Sequence, residues 1–481
     1  MKKALVSRPV TLIMACLMIL SVCGCGQQAT TSTYWEESEI VVGGTDGQLI
    51  EGTDEVTEII TNDGTVVQVP TRDELSTEGG VDLGGATVSI ACWGTSLQEP
   101  QPGSSDYKEK AALVAAIEEK YNCKLSWVHI ADALTYNSTW TTAAASGTKF
   151  ADIMTINTSW AMPTQIMKGY ITPIDDYFDF NDPILNKDGI NSVSYKGKHY
   201  VLFTAGRAGI PTGTYYNKEL FSRFGVKSPA DYVKENNWNW DTFLECAQAM
   251  TRVSGGTTYY GYALKNGNIN IWPCTNTVFD PNSDPTKFNM DTPAYIEGLQ
   301  FAWDLYNTYN ITPRDCGDSV NAWKNGTVAM INGDSYEATE YNEALGSSNV
   351  GFTHLPLGKQ VKSYSQLYST TASFGWIIPS TVQNPDAMAK ILYDWVYPYS
   401  WRISWDESNR NLFGDELSFN TAKEMADYAS KNIAKPSALA LTNITWGNYG
   451  IQDKIAPQAY IASVKAEAQA ALDSIWAGYE P

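Results

Sequence analysis

YKGKHYVLFTAGRAGIPTGTYYNKELFSRFGVKSPADYVKENNWNWDTFLECAQAMT, residues 195–251, is the stretch on which the fold turns. Residues 200–203 are a short apolar run, 205–213 are rich in Gly and Pro, and 214–216 return to β-forming side chains. The chain is therefore expected to leave one sheet, bend, and enter another. Asn217 is placed to cap a helix over 218–224, with Gly225 at the left-handed position that ends it. A second helix should start at Asn239, with Asp241 in its first turn and Phe243, Leu244, Ala247 and Met250 sharing one face.

On the N-terminal side, ATVSIACW at 86–93 reads as a strand. A helix over 106–121 follows, with Tyr107, Ala111, Val114, Ile117 and Tyr121 along one face, and then a strand over 124–130. Strand, helix and strand at this spacing make a right-handed βαβ unit and hence a parallel sheet. The strand 153–156 runs into the loop 157–161, which should lie at the carboxyl edge of that sheet, where open α/β sheets hold ligands. Asp175 and Asp176 read as caps of a short helix rather than as a catalytic pair. On the C-terminal side, helices are expected over 291–309, from Asn384-Pro385-Asp386 onward, and over 457–476.

Several of these pieces carry short motifs: GKHY at 197–200, YNKELF at 216–221, NWDTF at 239–243, NAWKNGTVAMINGDSY at 321–336 and GFTHLP at 351–356. In this order, from residue 86 to residue 476, the chain resembles the extracellular solute-binding proteins of ABC importers, family 1. Ala151-Asp152-Ile153 stands where the family usually has Pro-Asp-Ile. The resemblance implies a two-lobe α/β fold of the periplasmic-binding-protein type II, each lobe a mixed, mostly parallel sheet flanked by helices. A hinge joins them. The first lobe is expected to comprise 83–205 plus 371–434 and the second 206–370 plus 435–481, with crossings near 204–213, 369–373 and 433–437.

Composition narrows the function. The 481 residues contain 33 basic and 53 acidic side chains, a formal charge of −20, which argues against nucleic acid because phosphate neutralisation needs a basic face. Lys2, Lys3 and Arg8 precede the apolar run 10–22, too short to span a bilayer and suited to an export signal. Val22-Cys23-Gly24-Cys25 resembles a bacterial lipobox, with Cys25 as the lipidated residue after removal of 1–24; simple secretory cleavage is the alternative. Residues 25–82, rich in Thr, Gly, Glu and Asp, read as an acidic tether to the membrane. Within it, 40–42 and 65–69 could pair as a hairpin. Cys92 and Cys123 should stand at opposite ends of the sheet, and the remaining thiols are expected to be free and buried.

No Walker loop, GxGxxG, GxSxG, HExxH or zinc-type cysteine spacing is present, so no metal, cofactor or catalytic centre is expected. His129, His199 and His354 are read as packed or surface residues. The 16 Trp and 28 Tyr stand out. A sugar offers apolar C–H faces and a rim of hydroxyls, which aromatic rings and polar side chains match. By position in the family pattern, the resemblance implies Trp93, Trp160, Trp272, Tyr336 and Trp446 as stacking rings, with Asn157, Ser159, Arg207 and Asp334 as polar partners. It also implies a monomer on the cell surface, anchored to the outer face of the cytoplasmic membrane, that delivers a mono- or oligosaccharide to ABC permease subunits. A glycan receptor uncoupled from transport, an importer receptor for another solute, and a secreted hydrolase remain alternatives at this level.

Overall fold

The computed structural model describes residues 57–60, 66–69 and 79–480, apart from 95–97, 104–106, 205–210, 266–268, 270, 277–286, 315–318, 368–373, 400–408, 411 and 432–454. Thr57–Ile60 (β1) pairs antiparallel with Val66–Val69 (β2). The described partner of the 65–69 stretch is therefore this near strand, and 40–42 lie outside the described residues. A five-residue connection closes at lower entropic cost than a twenty-residue one.

Ala86–Trp93 (β3), Tyr107–Tyr121 (α1) and Cys123–Ile130 (β4) form the βαβ unit, and β3 runs parallel to β4. Ala133–Ala145 (α2), capped by the Asp132 side chain, leads to Ile153–Asn157 (β5), parallel to β3 on its other side. Cys92 stands opposite His129 and Ala86 opposite Cys123, so the two thiols lie at opposite ends of the strand pair. Both are free and buried; Cys274, expected to be buried, is exposed. Ser194–Tyr195 (β6) and Lys198–His199 (β7) make a tight hairpin. Asp175 caps no helix. Its carboxylate accepts the backbone N–H of His199 at 2.9 Å and bonds the ring Nδ1 at 2.8 Å, which fixes this hairpin to the preceding loop.

The second lobe opens with Thr212–Asn217 (β8), whose Tyr215 and Tyr216 point to opposite faces and enter separate cores. Lys218–Phe224 (α3) begins where Asn217 Oδ1 accepts the Leu220 N–H at 3.1 Å and ends at Gly225, φ 63°. Trp240–Met250 (α4) starts in a capping box made by Asn239 and Thr242. Arg252–Ser254 (β9), Thr257–Ala263 (β10), Pro293–Asn307 (α5), Val328–Asp334 (β11), Ala338–Leu345 (α6) and Val350–Thr353 (β12) complete the sheet in the order β12-β8-β11-β10-β9. Only β10 and β11 pair in parallel; the other three pairs are antiparallel.

Phe374–Ile377 (β13) returns to the first lobe as an antiparallel edge strand, giving the order β13-β5-β3-β4. Gly375 is required there. A Cβ would stand 2.3 Å from Val201 Cγ1, where residues 201–204 lie against β13 with paired bonds between Leu202 and Trp376. Pro385–Tyr399 (α7) packs on α1. Its wholly buried Asp394 accepts from Lys120 Nζ and the Tyr121 hydroxyl, each at 2.7 Å.

Glu416–Lys431 (α8) corrects the expected boundary. Phe413, Phe419, Ala422 and Met425 pack with Tyr215, Phe352 and Tyr341 of the second lobe, although 371–434 were assigned to the first. Helices α7 and α8 thus pack on different lobes, and the crossing expected at 433–437 lies outside the described residues. Pro457–Ile475 (α9) buries Ile461, Ala468 and Leu472 in the other second-lobe core. No helix among the described residues is long and apolar enough to cross a membrane.

Candidate functional site

Strand polarity gathers the first set of side chains. Trp93 ends β3, Asn157 ends β5, and Phe374 begins the antiparallel β13 directly opposite Asn157, so all three lie at one edge of the first sheet. Trp160 follows in the helical turn Thr158–Trp160. The Trp93 ring centroid lies 5.1 Å from Trp160, 5.2 Å from Phe374 and 5.3 Å from Tyr136, with planes tilted by 45–56°. Tyr136 is buried beneath, its hydroxyl donating to the Thr155 carbonyl at 3.0 Å, and desolvation pushes its pKa above the usual phenol value. The platform therefore rests on a fixed ring while Phe374 stays 48% exposed.

Asn157 Oδ1 accepts both the backbone N–H of Ser159, at 2.9 Å, and its hydroxyl, at 2.7 Å. This Asx turn sets Asn157 and Ser159 beside the rings. The arrangement offers a broad apolar surface with polar groups at its margin.

The matching edge of the second sheet is polar. Thr212, first in β8, stands opposite Asp334, last in β11, and its hydroxyl donates to Asp334 Oδ1. The Asp334 N–H donates to Glu337 Oε2 at 2.8 Å. Glu337 pairs with Lys265, which also donates to the Tyr341 hydroxyl at 2.9 Å. Burial pushes the Asp334 pKa up, the Thr212 hydrogen bond opposes that, and neighbouring Glu337 adds to the rise. Tyr336 projects from this corner, 65% exposed.

The described ends of the first crossing lie at these edges. Residues 201–204 run beside β13 in the direction of β5 and leave the first lobe next to Phe374; β8 then starts at Thr212, beside Asp334. After β12 the chain stays on the second lobe, where Leu357 and Gly358 bond to Trp238, Trp240 and Thr275 and Tyr364 packs on the core, and it re-enters the first lobe at Phe374.

Trp93, Asn157, Ser159 and Trp160 thus share the first edge, and Asp334 and Tyr336 share the second. Trp272 does not join them. It is 0% exposed, packed 4.8 Å from Phe243, 5.0 Å from Phe301 and 5.6 Å from Tyr262, so its ring belongs to the core and not to a ligand surface. Arg207 and Trp446 lie outside the described residues, as does Cys25. Phe374, Thr212, Lys265 and Glu337 escaped the reading of the sequence. Phe374 begins an inconspicuous SFGWII run, and the others depend on cross-strand register. Among the described residues, no group of three or more His, Cys, Asp or Glu could hold a metal ion.

The family model for bacterial extracellular solute-binding proteins matches residues 102–397, more than half of the chain. A binding protein of Brucella abortus is 24% identical over 286 residues, covering 56% of this chain and 63% of the relative. The chain thus spans less than two thirds of that relative. Among solved structures, an ABC substrate-binding protein of Listeria monocytogenes in complex with cycloalternan is similar at a TM-score of 0.55 and 15% identity, covering 82% of this chain and 100% of that one. The GacH receptor of Streptomyces glaucescens, solved unliganded and with acarbose, is similar at 0.57 and 16%, with the same coverage. At such identities the likeness is one of fold, the type II periplasmic-binding-protein architecture. The chain belongs to the bacterial extracellular solute-binding protein family.

Proposed function

We propose that this protein is the receptor of an ABC importer and captures a mono- or oligosaccharide between its lobes. The observation that carries the reading is the pairing of edges. Trp93, Trp160 and Phe374 form an aromatic platform on one lobe, and Asp334 and Tyr336, braced by Thr212, Glu337 and Lys265, form a polar corner on the other. Sugar C–H faces would rest on the rings, while hydroxyls meet Asn157, Ser159 and Asp334. Arg207 and Trp446, from the hinge and the segment before α9, are proposed as further contacts.

A ligand that touches both faces binds the closed arrangement better than the open one, and that difference drives closure. The closed form would then dock on the permease. No covalent step is involved. Lipidation of Cys25 and the tether would keep a monomeric receptor at the outer face of the cytoplasmic membrane. The names of the two solved relatives, one bound to cycloalternan and one to acarbose, support a glucan-like ligand.

The test is a thermal-shift screen of malto-oligosaccharides, cycloalternan, acarbose, simple sugars and amino acids, because a ligand that binds only the native state raises Tm by mass action. A carbohydrate shift lost in Trp93→Ala supports the reading. A shift with amino acids alone, or release of new reducing ends from an oligosaccharide, would overturn it.

A further inference from the structure

We infer that the last residues of the chain form a latch between the lobes that holds them open. The inference rests on the proposed closure. Among the described residues, the two lobes touch where α9 ends. Trp476 lies in the second-lobe core, the Tyr479 ring sits 4.7 Å from it edge-on, and the opposite face of the contact is Tyr195 of the β6–β7 hairpin, stacked at 5.5 Å and 19°. Tyr479 is accordingly packed against the first-lobe core and the second-lobe core at once. One residue further, Glu480 Oε2 pairs with Lys196 Nζ at 3.0 Å, at the tip of the same hairpin.

The hairpin is a firm anchor. Lys196 and Gly197 take positive φ, 51° and 70°, to make its tight turn, and Asp175 holds His199 through two hydrogen bonds. It is also distant from the first crossing. His199 and Thr204 are five residue steps apart, roughly 16 Å of extended chain. At that lever arm each ~10° of hinge rotation would move the hairpin by about 3 Å relative to the other lobe, enough to part stacked rings. The arrangement that the latch secures has its ligand surfaces uncovered: Phe374 is 48% and Tyr336 65% exposed. Closure must cover these and so must work against the Tyr195–Tyr479 contact.

Removing the latch should therefore favour the closed form. An aromatic pair of this kind corresponds to about a two- to twelvefold change in equilibrium. Small-angle scattering of the unliganded full chain should shift towards a more compact particle in Tyr479→Ala and in Tyr195→Ala, with no further shift in the double variant, while Tyr479→Phe behaves as wild type. Lys196→Ala, which removes an exposed ion pair with Glu480 and an ammonium 5.4 Å from the Tyr195 ring centroid but leaves both rings in place, should change less than either ring substitution. Maltotriose, used as the probe, should bind Tyr479→Ala two- to twelvefold more tightly. Wild-type scattering from a folded Tyr479→Ala, or additive effects of the two alanine substitutions, would overturn the latch. Absence of maltotriose binding in every variant would count against the sugar reading instead, and the scattering would still decide the latch.

Discussion

Phe374→Ala should separate ligand affinity from stability. A phenylalanine presents about 200 Å² in all. With 48% exposed, about 100 Å² remains for a ligand to cover. At ~25 cal/mol per Å², full coverage is worth about 2.5 kcal/mol, an upper bound because a flat ligand covers one face. The loss should thus lie between about tenfold and sixtyfold in Kd. The cost to the fold is smaller. Among the described residues the ring makes one aromatic contact, with Trp93, and its removal should lower unfolding free energy by about 1–2 kcal/mol. Calorimetric titration with the sugar found in the screen, run beside urea denaturation, reads both quantities. A Kd within twofold of wild type in a folded variant would refute the assignment of Phe374 to the binding surface.

Trp272→Ala should do the opposite. The ring is wholly enclosed by Phe243, Tyr262 and Phe301, so the substitution should cost about 3–5 kcal/mol in urea denaturation, while Trp272→Phe costs clearly less. Asp394→Ala should destabilise the first lobe by about 3–5 kcal/mol, because Lys120 and Tyr121 lose their buried acceptor; a loss under 1 kcal/mol would refute that role. Burial pulls the pKa of His354, stacked 4.5 Å from Tyr364, from 6.5 to about 4. The unfolded chain therefore binds a proton between those values that the folded chain refuses. Stability present above pH 6.5 should fall by about 3 kcal/mol as pH drops to 4, and His354→Gln should flatten that slope in urea midpoints.

Much of the chain's local structure was legible before any coordinates. Asn217 and Asn239 announce helix starts because a short amide side chain caps free N–H groups, and Gly225 ends a helix because it tolerates positive φ. The order of strand, helix and strand from Ala86 to Ile130 likewise implies a parallel pair. Asp175 misled because a carboxylate in a turn caps whatever N–H approaches it, and here that N–H comes from His199, twenty-four residues on.

The sequence by itself determined where the capped helices begin, that the chain crosses between two sheets, and the family it belongs to. Only the tertiary structure decided which aromatics face solvent: Trp272, in the short helix Ile271–Cys274, is enclosed by three other rings, whereas Phe374, at the start of β13, stays 48% exposed. It also decided that α8 joins the second lobe and that Tyr479 reaches the first. Helix caps and turns are satisfied by neighbours a few residues away. Burial depends on side chains brought from hundreds of residues distant, and no local pattern encodes them.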